Sequence, residues 1–99
     1  MTPDLQRRIQ RYGWDRAAGY YEASWKQQLA PAQQRLLERA ALQPGEHVLD
    51  IACGTGLVTF PAAEAVGGSG RVVATDLSDQ MVACVRLEAE QRGFFHVSA

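Results

Sequence analysis

The stretch Val-Leu-Asp-Ile-Ala-Cys-Gly-Thr-Gly, Val48 to Gly56, narrows what this 99-residue chain can fold into more than any other segment. It sets a short apolar run containing an acid against a loop of small residues. Gly54 and Gly56 let the backbone turn sharply and come close to a ligand, which a Cβ would obstruct. A helix beginning behind such a loop offers unpaired N–H groups and the positive end of its dipole. In a parallel α/β sheet, the crevice beyond the carboxyl ends of the strands is where ligands sit. The segment thus predicts a strand-loop-helix unit built around a small-molecule site.

The flanking residues extend that unit in both directions. Upstream, Thr2-Pro3 reads as an N-cap and first helical position. Leu5, Ile9 and Tyr12 follow as a narrow apolar stripe, and Gly13 is expected to end or bend the helix. An aromatic-rich stretch carries Trp14, Tyr20, Tyr21 and Trp25. Pro31 disfavours helix at Ala30, so a fresh helix is expected from Pro31 to Leu42, with Leu36, Leu37, Ala40 and Ala41 as its core face. Pro44-Gly45 is a turn signal, after which the pattern changes.

His47 to Ile51 is the first strand, and a helix is expected from about Leu57 to Gly67-Gly68. Pro61 is tolerated near the end of its first turn if that helix starts a residue or two late. Arg71 to Thr75 is a second strand closed by Asp76. Ser78 then caps a helix with Asp79 in its first turn, Met81, Val82, Val85 and Ala89 toward the core, a Glu88–Arg92 pair, and Gly93 as its stop. Phe94 to Val97 begins a third strand. Helices followed by β-α-β-α-β predict an α/β chain with a parallel sheet and right-handed crossovers. Residues 1–43 read as an N-terminal helical cap or lid, and 44–99 as the first part of a nucleotide-binding-type domain.

Asp76 closes the second strand twenty residues after Gly56, where a carboxylate can accept hydrogen bonds from both ribose hydroxyls. A nicotinamide dinucleotide site shares these features. Its fingerprint, however, needs a third glycine in register, and here Leu57, Val58 and Thr59 follow Gly56. Asp50 would also sit close to a pyrophosphate, where its negative charge is unwelcome. A ligand with an ammonium, a sulfonium and a single carboxylate suits it better.

Asp50-Ile51-Ala52-Cys53-Gly54-Thr55-Gly56 resembles the first motif, D/E-x-G-x-G-x-G, of the class I S-adenosylmethionine-dependent methyltransferases, with Ala52 in place of the first glycine. Arg71 to Ser78, with Met81 beyond it, is similar to the second motif of that family. Ala18 to Glu22 is similar to the A-x-x-Y-D/E segment of its small-molecule, quinone-biosynthesis-like branch. The resemblance implies a Rossmann-like methyltransferase fold, truncated after its first two βα units and preceded by N-terminal helices.

The resemblance also implies S-adenosylmethionine as cofactor and a small-molecule methyl acceptor. Asp50 and the backbone of Ala52 and Cys53 would hold the methionine part, with Gly54 and Gly56 permitting the approach. Asp76 would take the ribose, Leu77 and Met81 would lie against the adenine, and Tyr21 would close over the cofactor near the sulfonium. No catalytic base is singled out, because residues beside the acceptor come in this family mostly from later strand ends. The chain is therefore expected to be inactive alone, as a fragment of a longer enzyme. A non-catalytic module for the cofactor or its demethylated product, and an interaction piece that completes its sheet with another chain, are the alternatives.

Ten basic against eleven acidic side chains, net charge −1, give no field to steer a polyanion, so nucleic acid is not an expected partner. No CxxC spacing joins Cys53 and Cys84, and His47 and His96 stand alone, so no metal is expected and a reduced, cytoplasmic setting fits. Cys53 reads as a small side chain in a crowded loop rather than a nucleophile. Trp14, Tyr20 and Trp25 read as packing residues or part of a substrate lid. Arg7, Arg8 and Arg11 read as a solvated face. No apolar run is long enough to span a membrane, and self-association through uncovered sheet edges is expected.

Overall fold

A computed structural model describes the backbone of residues 2–99 and the side chains of 2–15 and 26–99. Three helices and three strands follow in the order α1 (Pro3–Ala40), β1 (His47–Ile51), α2 (Thr59–Val66), β2 (Arg71–Thr75), α3 (Asp79–Arg92) and β3 (Val97–Ser98). The strands form one parallel sheet in the order β1-β2-β3, with Val48 beside Val72, Asp50 beside Ala74, and Val72 beside Val97. Parallel pairing between sequential strands demands a crossover, and α2 and α3 supply the two.

Alternation along the strands decides which face is covered. Val48, Asp50, Val72 and Ala74 turn toward the helices. Phe60, Ala74, Val85 and Ala89 form one buried cluster, and Ala62, Ala63, Val66 and Val72 a second, with Phe94 and Val97 packed against both. Each fully buried side chain of valine or phenylalanine size contributes about 1.5–3 kcal/mol relative to exposure. On the opposite face Val73 is partly buried, whereas Leu49 is 61% and Ile51 73% exposed.

The strongest local signals hold. Thr2 Oγ1 accepts from the Leu5 amide at 3.2 Å, with Pro3 at the start of α1. Ser78 caps α3 through the Met81 amide, Gly93 closes it in the left-handed region, and Glu88 pairs with Arg92 at 3.0 Å.

The N-terminal half corrects the sequence reading. One helix runs through Gly13, Ala30 and Pro31 instead of breaking there. A glycine in a helix costs only about 1 kcal/mol against alanine, and a proline already has a helical φ. The segments on either side of Pro31, Lys26–Ala30 and Ala32–Ala40, consist of strong helix formers. The helix stops at Ala40 because Ala41 turns left-handed (φ 47°) and its amide returns to the Leu37 carbonyl. Of the expected core face only Leu37 is partly buried, against Ala62, Ala63 and Val66; Leu36, Ala40 and Ala41 are exposed. The Leu5, Ile9, Tyr12 stripe is also exposed.

Two boundaries move as well. Helix α2 begins at Thr59 rather than Leu57, which leaves Pro61 as its third residue. Strand β3 is Val97–Ser98, because the Phe94 amide is drawn back to the Ala89 carbonyl to finish α3.

Candidate functional site

The loop after β1 is held from two sides. The Cys53 amide continues the ladder by donating to the Thr75 carbonyl at 2.8 Å. The Gly54 amide donates to Asp76 Oδ2 at 2.9 Å, and the Ser78 amide donates to Asp76 Oδ1 at 2.9 Å. One carboxylate at the end of β2 therefore ties the β1 loop to the start of α3. Each of its oxygens has further lone-pair capacity for a ligand hydroxyl.

The loop backbone takes unusual dihedrals. Gly54 (φ 59°) and Gly56 (φ 98°) are left-handed, and a Cβ on Gly56 would lie 2.4 Å from the Phe60 ring. Ala52 shares this conformation at φ 59° although it carries a Cβ, at a cost of roughly 1–2 kcal/mol. The buried hydroxyl of Thr55 has no hydrogen-bond partner among the described residues. Such local costs cluster at sites held for a ligand.

Asp50 lies on the helix-facing side of β1, where the Thr59 hydroxyl donates to its Oδ2 at 2.6 Å. Burial pushes its carboxyl up, the Thr59 bond opposes that, and the nearby charge of Asp76 adds to it. Thr59 has no role in the sequence reading. It stands nine residues from Asp50, and nothing in their spacing announces the bond. The Cys53 thiol is buried and pushed up to about 12, first by burial and then by Asp50 and Asp76, so it is not a nucleophile near neutral pH.

Ala52, Gly54, Asp76, Leu77 and Met81 line one cleft of about 260 Å³ together with Trp14 from α1. Asp50, Cys53 and Gly56 do not line it. Asp50 sits below the loop, Cys53 is packed in the core, and Gly56 borders a neighbouring hollow with Lys26, Phe60 and Arg92. Tyr21, with Tyr20 and Trp25, lies outside the residues whose side chains are described. Among the described residues, Asp76 is the only charged one lining the cleft.

Among the described residues, helix α1 reaches this region through three hydrogen bonds. The Ser78 hydroxyl and the Gln80 amide donate to Asp15 Oδ1, and Arg11 Nε donates to the Leu77 carbonyl at 3.2 Å. The Ser78 bond, with the Gln80 amide, holds the Asp15 carboxyl below its ordinary value. Arg7, Arg8 and Arg11 are all exposed, as a solvated face requires; Arg11 adds a tertiary contact, and Arg7 donates to the Asp4 carboxylate at 2.9 Å and to the Pro3 carbonyl. His96 is likewise partnered, its Nε2 lying 2.9 Å from the Ala63 carbonyl.

Comparison with known proteins agrees with this geometry. Residues 48–99 match the model of a methyltransferase domain, more than half of the chain. The chain belongs to that family, the class I methyltransferases that use S-adenosylmethionine as cofactor. It is 44% identical over 85 residues to nocamycin O-methyltransferase of Saccharothrix syringae, covering 86% of this chain and 30% of that protein. It is 36% identical over 85 residues to aklanonic acid methyltransferase DauC of Streptomyces sp. (strain C5), covering 86% and 39%. A SAM-dependent methyltransferase from Aquifex aeolicus superposes with a TM-score of 0.61 at 27% identity, covering 68% of this chain and 36% of that one. The chain thus spans about a third of the length of these relatives. Among the described residues no group of three or more His, Cys, Asp or Glu could hold a metal, and no helix is long and apolar enough to cross a membrane.

Proposed function

We propose that this chain is the cofactor-holding part of an enzyme that transfers a methyl group from S-adenosylmethionine to a small molecule. The cleft supports the cofactor assignment by its charge. The Asp76 carboxylate on the cleft, with Asp50 close behind the loop, suits a cationic ligand and repels a pyrophosphate. Asp76 would take the ribose hydroxyls, and Leu77 and Met81 would flank the base. Ala52, Cys53, Gly54 and Gly56 would present backbone to the methionine part, with the Asp50 carboxylate toward its ammonium and Tyr21 near the sulfonium. The relatives named for nocamycin and aklanonic acid support a small-molecule acceptor.

When bound, the cofactor supplies an activated methyl group, and the protein's share is alignment and exclusion of water. The residues of this chain act on the cofactor side: Asp76 orients the sugar, and the left-handed loop lets amides approach the amino acid. An interaction role is the second reading, and the bare Leu49 and Ile51 on the sheet favour it.

The observation that carries the proposal is Asp76 as the sole charge among the described residues of the cleft. S-adenosylhomocysteine at a hundred times its dissociation constant should add about 2.7 kcal/mol to unfolding stability. Asp76→Ala should abolish that gain, and Asp76→Asn, which can still accept from the Gly54 or Ser78 amide, should reduce it in a folded chain. Uptake of NADH with no uptake of S-adenosylhomocysteine by the unaltered chain rules the proposal out.

A further inference from the structure

Among the described residues, Trp14 is the one lining the cleft that comes from outside the β-α-β-α unit. Its position is fixed on both sides in sequence. Three residues before it, Arg11 Nε donates to the Leu77 carbonyl, and one residue after it, Asp15 receives the Ser78 hydroxyl and the Gln80 amide. These contacts join residues 63 to 66 positions apart, so they set where α1 lies relative to the start of α3. The ring remains 44% exposed, whereas Met81 on the cleft's inner side is 1% exposed. The ring lines the same space as Leu77, Met81 and Asp76.

The polar groups decide which end of the cofactor meets it. Asp76, placed for a ribose, lines this cleft, and Asp50, placed for the ammonium, does not. The space therefore accommodates the nucleoside end, with the amino-acid end running along the loop. At about 260 Å³ it falls short of the ~300–1,000 Å³ typical of a site for a whole small molecule, as expected for part of a ligand.

Resting on the cofactor reading above, we infer that Trp14 is a purine-binding residue: its indole stacks on the adenine from the side opposite Met81, and the Arg11 and Asp15 contacts hold it there. Base–aromatic stacking of this kind weakens binding by roughly five- to 150-fold when the ring is removed. The indole is neutral, so it adds this contact without altering the charge that selects a cationic ligand.

Two measurements on the 99-residue chain test the inference. In calorimetry with S-adenosylhomocysteine, Trp14→Ala should weaken binding at least about fivefold, and Trp14→Phe, which keeps an aromatic face, by less than about threefold. Trp14 and Trp25 are the only tryptophans, so in a Trp25→Phe background the emission reports Trp14 alone. That emission should change on saturation with S-adenosylhomocysteine or adenosine and stay constant with methionine. An unaltered chain that binds while Trp14→Ala binds equally well overturns the role of Trp14 and leaves the cofactor reading standing. A response to methionine but not adenosine also overturns it. Failure of the unaltered chain to take up S-adenosylhomocysteine overturns both.

Discussion

Asp50 is a side chain whose burial works against the free protein at neutral pH, in keeping with the ligand role proposed for it. It is ionisable, partly buried, and within reach of a second carboxylate, with only the Thr59 hydroxyl to offset the burial. Because folding raises its pKa above the ordinary 3.8, the folded state is favoured where Asp50 is protonated. That contribution is complete below 3.8 and is lost as pH rises through the folded value. Asp50→Asn, whose amide oxygen can still accept from Thr59, should therefore raise the melting temperature of the free chain at pH 7. In the same variant S-adenosylhomocysteine affinity should fall, since the ammonium loses its counter-charge. Paired thermal melts and titrations check both signs. Ala52 offers a second residue-scale test. Ala52→Gly relieves a left-handed alanine and should stabilise the chain by about 0.5–1 kcal/mol after allowing for the looser unfolded state, measured by urea unfolding.

At the scale of elements, legibility followed the distance over which each signal acts. Helix α3 was readable because Ser78, Asp79, Glu88, Arg92 and Gly93 each signal a boundary or pair within one turn of themselves. The strands were readable because His47–Ile51 and Arg71–Thr75 are short apolar runs closed by the loop and by Asp76. What was missed lies across the fold. The Thr59–Asp50 bond, the His96–Ala63 contact and the clasp of Asp15 and Arg11 on α3 depend on which elements meet, and no local pattern records that. The loop and Asp76 could be picked out, but the third wall of the cleft, Trp14, could not. Helix α1 shows the opposite failure, in which a local signal is overruled: Pro31 sits inside a continuous helix. An interior proline removes one helical hydrogen bond and crowds the preceding turn, at about 3 kcal/mol. Pro31→Ala should accordingly stabilise the chain by roughly 1–3 kcal/mol, read as a rise in the midpoint of the circular dichroism melt.

The whole molecule presents a sheet finished on one face only. Val48, Val72 and Ala74 are roofed by helices, and Leu49 and Ile51 are open to water. Strand β1 is also an edge, since it pairs only with β2. An apolar face joined to an unpaired strand edge is a template for association. We expect the sedimentation coefficient of the chain to rise with concentration. Ile51→Lys, which puts a charge on that face without touching the helix side, should hold it near the monomer value.

The double grip of Asp76 has a consequence for what holding a ligand costs. Both oxygens are already oriented by the Gly54 and Ser78 amides, so in the proposed role the carboxylate needs no search through rotamers when a ligand hydroxyl arrives. The ordering entropy is met once, during folding, and is not charged again at each encounter. A receptor set in this way gains its affinity by slowing escape, while its shape before and after capture stays nearly the same.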